Sequence, residues 1–214
     1  MKSLLLIFIC SCLIFTRSLG QNAFGFRGGA QLSRMSGFEG NPKGFLPTIQ
    51  GKAIAIVALS ETVTLNPSFG YSGKGFKWND INFTDEYGNP LGEGDIHGLF
   101  NYLQLSAPLS YKIAINPNKE FYFGAGPYFA YALSARGKVK HTPLPNAEES
   151  WNLFTGDSYK KTDAGIAIEI STRLRKKYMV TVNLDFGLSD VNNGPNKIKN
   201  QSAGISFGYL FNKS

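Results

Sequence analysis

The sequence predicts an all-β chain: an eight-stranded antiparallel up-and-down transmembrane β-barrel with short periplasmic turns and four long external loops. Three observations lead there. Apolar residues alternate with small or polar ones through eight segments, the period of a strand with two unlike faces. No segment carries a helical period of 3.6. Short and long connections alternate strictly, which gathers the long ones at one end, as in barrels that cross a membrane.

The first strand, near 23–33, sets Phe24, Phe26, Gly28, Ala30 and Leu32 against Gly25, Arg27, Gly29, Gln31 and Ser33. A second, near 49–59, leaves its register open, because Ile54 and Ile56 share a face with Lys52. The third, near 62–75, places Val63, Leu65, Pro67, Phe69 and Tyr71 opposite Thr64, Asn66, Ser68, Gly70 and Ser72. In the fourth, near 101–114, Leu103, Leu105, Ala107, Leu109, Tyr111 and Ile113 oppose Tyr102, Gln104, Ser106, Ser110 and Lys112. "FYFGAGPYFAYAL" (121–133) is the fifth, with Phe121, Phe123, Phe129, Tyr131 and Leu133 on one face and Tyr122, Gly124, Gly126, Tyr128, Ala130 and Ala132 on the other. The sixth (162–173), seventh (178–189) and eighth (200–211) repeat the pattern. Pro67, Pro108 and Pro127 fall inside strands, where a missing N–H predicts bulges or strand ends.

Turns at Ser60–Glu61, at 116–119 and at 174–177 are short, whereas 34–48, 76–100, 134–161 and 190–199 read as long loops. This asymmetry decides which face is buried. A soluble barrel would pack every aromatic listed above into a bore that eight strands barely leave open. With the apolar face toward lipid, Arg27, Lys112 and Arg173 share a narrow lumen with Glu169 and Asp185, where opposite charges pair as burial requires. A soluble ligand-carrying barrel is the alternative and would reverse these assignments.

Ahead of the strands, Lys2 precedes a 12-residue apolar run, Leu4–Phe15. That run is too short to span as a helix and reads as the core of a signal peptide, 1–20, leaving a barrel domain of 21–214. A lipoprotein reading at Cys12 is the alternative. Cys10 and Cys12 are the two cysteines of the chain, so the mature part holds neither disulfide nor thiolate site. Removing Lys2 and Arg17 takes Lys+Arg from 22 to 20 against 15 acids, hence +7 to +5. Scattered over turns and loops, this excess suits anionic lipid head groups and argues against nucleic acid.

Chemistry-bearing sets are sparse. His97 and His141 fall in long loops with no serine and acid to complete a hydrolytic set; a lipid-modifying enzyme would need one there. Glu93, Asp95 and His97 lack a fourth metal ligand. Asp80, Asp85, Glu86, Asn89, Glu93 and Asp95 lack the spacing of a calcium loop. No cofactor is expected, and the reading is non-enzymatic. Tyr71, Trp78, Tyr131 and Trp151 read as an interfacial girdle.

Six stretches in order, "GFRGGAQLS" (25–33), "LNPSFGYSGKG" (65–75), "NYLQLSAPLSYKI" (101–113), "FYFGAGPYFAYAL" (121–133), "VTVNLDFGLSDV" (180–191) and "SAGISFGYLF" (202–211), resemble the PorT-like outer-membrane β-barrel family of Bacteroides-type Gram-negative bacteria. The fourth strand departs by placing Ser106 and Ala107 before Pro108. The resemblance implies residence in the outer membrane and, for some members, a part in secretion machinery. In the last strand Ser202, Gly204, Phe207, Tyr209 and Phe211 resemble the signal read by the barrel-assembly machinery. Expected partners are therefore outer-membrane lipid, that machinery, and a secretion-system or cell-surface component.

Overall fold

Alternation becomes eleven strands in the computed structural model, which describes residues 23–38, 44–84, 87–141 and 148–212. The expected signal peptide lies outside the described residues. The strands are β1 (Ala23–Ser36), β2 (Leu46–Ala58), β3 (Val63–Leu65), β4 (Ser68–Thr84), β5 (Pro90–Ser106), β6 (Leu109–Asn116), β7 (Lys119–His141), β8 (Glu148–Asn152), β9 (Thr162–Leu174), β10 (Tyr178–Gly187) and β11 (Lys199–Asn212). β3 with β4 and β5 with β6 each form one stave, and β8 adds only to β7, so the ring has eight staves. All pairs are antiparallel neighbours, and β1 closes the ring by pairing both β2 and β11.

One end carries tight turns, here the turn end. Ser60 Oγ accepts from the amides of Thr62 and Val63, and Asn116 Oδ1 accepts from the Asn118 amide, both local side-chain closures of the chain. Between β9 and β10, Leu174 O accepts from Lys177 N while Arg175 and Lys176 both sit at positive φ, 51° and 58°. That is the mirror-image turn whose twist matches paired strands.

At the opposite, loop end the sequence reading needs correction. The expected loop 76–100 is largely a continuation of the β4–β5 hairpin, paired as far as Thr84 with Pro90, and the expected loop 134–161 holds the end of β7, β8 and a 3-10 turn at Thr155–Asp157. Here the strands leave the apolar belt, so no lipid-facing run of apolar residues advertises them.

Of the expected bulges or strand ends, strand ends fall at two of the three prolines: β3 stops at Leu65 and β4 begins at Ser68 around Pro67, β5 stops at Ser106 and β6 begins at Leu109 around Pro108, and Pro127 lies within β7. None of the three carries a bulge. Val57 pairs Leu65 and Ile54 pairs Ser68, so the spacing is three residues on both strands across Pro67. The same equality holds across Pro108 (Leu65 with Leu109, Ser68 with Ser106) and opposite Pro127 (Leu109 with Ala125, Ser106 with Tyr128). The prolines are neighbours in one row. Pro108 O accepts from the Asn66 amide and Pro127 O from that of Ala107, so the missing N–H groups of Pro108 and Pro127 face the breaks beside Pro67 and Pro108. The bulge between β5 and β7 lies higher: Asn101 pairs Ser134 but Tyr102 pairs Ala132, leaving Leu133 extra.

Face assignment follows the alternation. Phe123 is 45% exposed and Leu133 60%, while Tyr122 and Ala132 are 1% exposed, so the apolar face of β7 points outward. Phe24, Phe26, Ile49, Phe69, Leu105, Ile168, Val182 and Phe207 extend this belt around the ring. The register of β2 is also resolved: Gln50, Lys52, Ile54 and Ile56 all point inward.

Candidate functional site: the ion-paired lumen

Inward-facing positions stack in three layers. At the turn end Ala23, Ile54, Ile56, Tyr122, Met179 and Leu210 form an apolar cap. A second cap at the loop end gathers Met35, Phe76, Phe100, Tyr102, Leu153, Val191 and Ile198, with Phe38, Phe154 and Tyr159 against it. Tyr159 packs on Phe100 with centroids 5.3 Å apart, and burial raises its phenol above the ordinary value. Trp78 belongs to this cap. Its ring meets Phe38 and Phe76 at 4.9 and 5.5 Å, because it shares the inward parity of β4, so the expected girdle role is corrected.

Between the caps lies an ionic layer. Arg27, from the glycine-flanked middle of β1, grips Glu169 of β9 with both Nη atoms, Nη1 donating to Oε2 at 3.0 Å and Nη2 to Oε1. Bidentate pairing of this kind fixes geometry as well as charge. Arg27 Nη2 also reaches Ser68 Oγ at 3.4 Å, and Ser68 Oγ meets Ser106 Oγ at 2.8 Å. Lys74 Nζ lies 3.2 Å from Asp163 Oδ2 and 3.5 Å from Asp185 Oδ2, and 3.9 Å from the Tyr128 ring centroid. Asp163 further accepts from Tyr128 OH, Ser189 Oγ and Asn200 Nδ2, and Asp185 accepts from Gln104 Nε2 at 3.0 Å. Tyr128 lies across Gly165 on the next stave, where a Cβ would come within 2.8 Å of its ring. That glycine lets the phenol reach Asp163.

Lys52, in register with Arg27, is also buried on the lumen face. Nearer the turn end, Arg173 Nη1 lies 3.2 Å from Glu120 Oε2, with Tyr122 OH donating to the same carboxylate at 2.7 Å. Three cations (Arg27, Lys74, Arg173) thus pair with four carboxylates (Glu120, Asp163, Glu169, Asp185). Buried charge persists when it is paired and hydrogen-bonded in this way.

Arg27, Glu169, Arg173 and Asp185 all face the lumen and Arg27 pairs with Glu169, but the other partners lie outside the expected set. Asp185 pairs with Lys74, and Arg173 with Glu120. Lys112 stands outside the network: it is half-buried beside Tyr122 near the turn end. Sequence reasoning missed Lys74, Asp163 and Glu120. The signal was present in the parity of β4 and β9, two residues beyond Ser72 and six before Glu169.

The last strand places Ser202 and Gly204 inward and Phe207, Tyr209 and Phe211 outward. Tyr209 packs edge-on against Tyr178 and Phe211, and Phe211 against Phe24 at 5.3 Å, so aromatics straddle the seam that closes the ring. His97 lies in β5, with Lys77, Asp95 and Lys138 around a recess of about 280 Å³. His141 ends β7, its side chain outside the described part. Among the described residues no group of three or more His, Cys, Asp or Glu could hold a metal ion; Asp85 and Glu86 of the acidic stretch lie outside them. Nor, among those residues, is any helix long and apolar enough to cross a membrane, a statement that leaves strands aside.

Solved structures similar to the chain include Ail, the attachment invasion locus protein of Yersinia pestis (13% identity over 90% of this chain and 100% of that one, TM-score 0.43). Neisserial surface protein A is another (11%, 88% and 99%, TM-score 0.45), as is OprG from Pseudomonas aeruginosa (15%, 91% and 98%, TM-score 0.41). No curated protein matches in sequence. The family model described as outer membrane protein beta-barrel domain matches residues 19–193. With that match covering most of the chain, on a closed ring of eight staves with its apolar face outward, the chain belongs to the outer membrane protein beta-barrel family.

Proposed function

We propose that the chain is a sealed, non-enzymatic barrel of the outer membrane, held by its apolar belt and working through the surfaces it displays at either end. One observation carries this: the lumen is closed by side chains along its length, an ion-paired layer between two apolar caps. Eight strands enclose little more than side chains, and here the side chains interlock. The turn end faces the periplasm and the β4–β5 and β7–β8 extensions face outward, as the turn and loop lengths of such barrels require. Recording from planar bilayers tests the reading. Stable insertion without unitary current steps is expected; a steady, ohmic conductance would contradict a sealed lumen.

Two partners belong to this proposal. The outward aromatics Phe207, Tyr209 and Phe211 on the closing strand support recognition by the barrel-assembly machinery. The PorT-like resemblance supports a secretion-system component as the working partner. Deleting the gene and measuring export of cell-surface proteins tests it: reduced export is expected, and unchanged export overturns the link.

A further inference from the structure

The wall of the barrel changes partners once on its way up β7. Up to Tyr131 the neighbour is β9, and from Arg136 onward it is β8. The Ala132 amide still bonds Lys161 O, and the Leu153 amide bonds Ala135 O, so the chain between Leu153 and Lys161 leaves a lateral notch of about 480 Å³. The notch sits at a chemical boundary. Below it the outward residues are Phe129, Tyr131 and Leu133 of the apolar belt. Level with it, Tyr71 OH donates to Asn101 Oδ1 at 2.6 Å and Asn101 Nδ2 to Ser134 Oγ at 2.8 Å, a polar chain crossing three staves.

Its lining includes Arg136, Lys161, Ser134, Ser150, Asn152 and Trp151 and, among the described residues, no carboxylate. Arg136 and Lys161 are exposed. Lys161 Nζ is 5.5 Å from the Phe154 ring centroid, and Trp151, 42% exposed, lies over Gly137. Trp151 lines the notch at this boundary, its ring against Gly137, the cross-strand partner that has no side chain. Two cations and a row of hydroxyl and amide groups form a set that suits a phosphorylated sugar: guanidinium and ammonium for the phosphate, hydroxyls and amides for the sugar's own hydroxyls.

We infer that this notch seats the phosphorylated sugar head group of an outer-leaflet glycolipid, its acyl chains lying along Leu133, Tyr131 and Phe129. The inference rests on the proposed orientation, with the loop end outward. A soluble anion would have no use for a seat whose lower lip is the apolar belt, whereas a lipid head group is delivered there by its own chains.

Native mass spectrometry of the full chain folded in dodecyl maltoside tests it, with bisphosphorylated lipid A as probe and heat-dependent gel mobility as the check on folding. One retained lipid A per barrel is expected, falling about tenfold in R136Q/K161Q, the effect of losing roughly one strong polar contact. Ser150→Asp, which adds a negative charge and removes no cation, should give a similar loss, as should dephosphorylated lipid A with the wild-type chain. K77Q/K199Q, neutralising two other loop-end lysines, should leave retention unchanged. Equal retention by R136Q/K161Q, or equal loss in K77Q/K199Q, overturns the notch as the seat. Displacement by inorganic phosphate alone would make it a soluble-anion site and overturn the lipid assignment. A chain that shows no heat-dependent mobility would instead remove the membrane reading beneath it.

Discussion

Lys74 shows what a buried ion pair does in this lumen. Its side chain is fully buried between Asp163 and Asp185, so Lys74→Met leaves two carboxylates in a space built for one ammonium. Orphaning a buried charge costs about 3–5 kcal/mol, and urea titration of the vesicle-folded barrel should show a loss of that order. Arg27→Met should behave alike, because Glu169 depends on its guanidinium. The double variant R27M/E169L should be less destabilised than R27M alone, since replacing both partners removes the uncompensated charge. A double loss equal to the sum of the losses in R27M and E169L would mean that the pair carries no coupling. At the turn end the opposite sign is expected. Lys176 occupies a left-handed conformation at φ 58° that disfavours a β-carbon by about 1 kcal/mol, so Lys176→Gly should raise the urea midpoint slightly.

Along a strand, what matters is which face meets which surroundings. Ile168 stands outward near the middle of the belt, 37% exposed, while its neighbour Glu169 points into the lumen. Ile168→Arg should cost about 2–4 kcal/mol, the penalty for arginine at a bilayer midplane, and a negligible cost in the same titration would place that face in water. On β11, Tyr209→Ser should slow assembly in cells without abolishing folding in vitro, since the ring faces outward and packs with the outward aromatics Tyr178 and Phe211. The strands whose outward residues meet the belt were legible in the sequence because two environments impose period two on them. β8 and the upper halves of β4, β5 and β7 were not, because beyond the belt outward positions carry residues such as Arg136 and Lys77 and the contrast between faces fades. Pro67 and Pro108 mark strand ends, as their missing N–H groups predict, whereas Pro127 runs through its strand without a break or bulge. Bulges are the remedy for one proline among intact neighbours, and here three prolines share a row, a relation between staves invisible within any one of them. In the lumen, parity placed Arg27, Glu169 and Asp185 inward, but pairing depends on height along the axis. Lys74 could be matched to Asp185, or Glu120 to Arg173, only once the register of several staves was known.

The whole molecule is a closed ring whose outside and inside exchange the usual roles of a soluble fold. Exposed Phe24, Phe26, Phe129 and Phe207 surround a lumen of buried Arg27, Lys52, Lys74, Asp163, Glu169 and Asp185. In water such an arrangement would leave an apolar surface far beyond what a soluble monomer exposes; in a bilayer it is the stable one. Closure follows from the same physics, since a spanning sheet must leave no unpaired edge, and β1 supplies it with unbroken ladders to β2 and β11. The measurement that tests this most directly is to isolate the outer-membrane fraction and run it on denaturing gels with and without boiling. The protein is expected in that fraction, with a compact unboiled band that shifts on heating as the ring opens. Recovery in the soluble periplasmic fraction with no shift would contradict it, and would mean that the apolar face of "FYFGAGPYFAYAL" is not turned toward lipid.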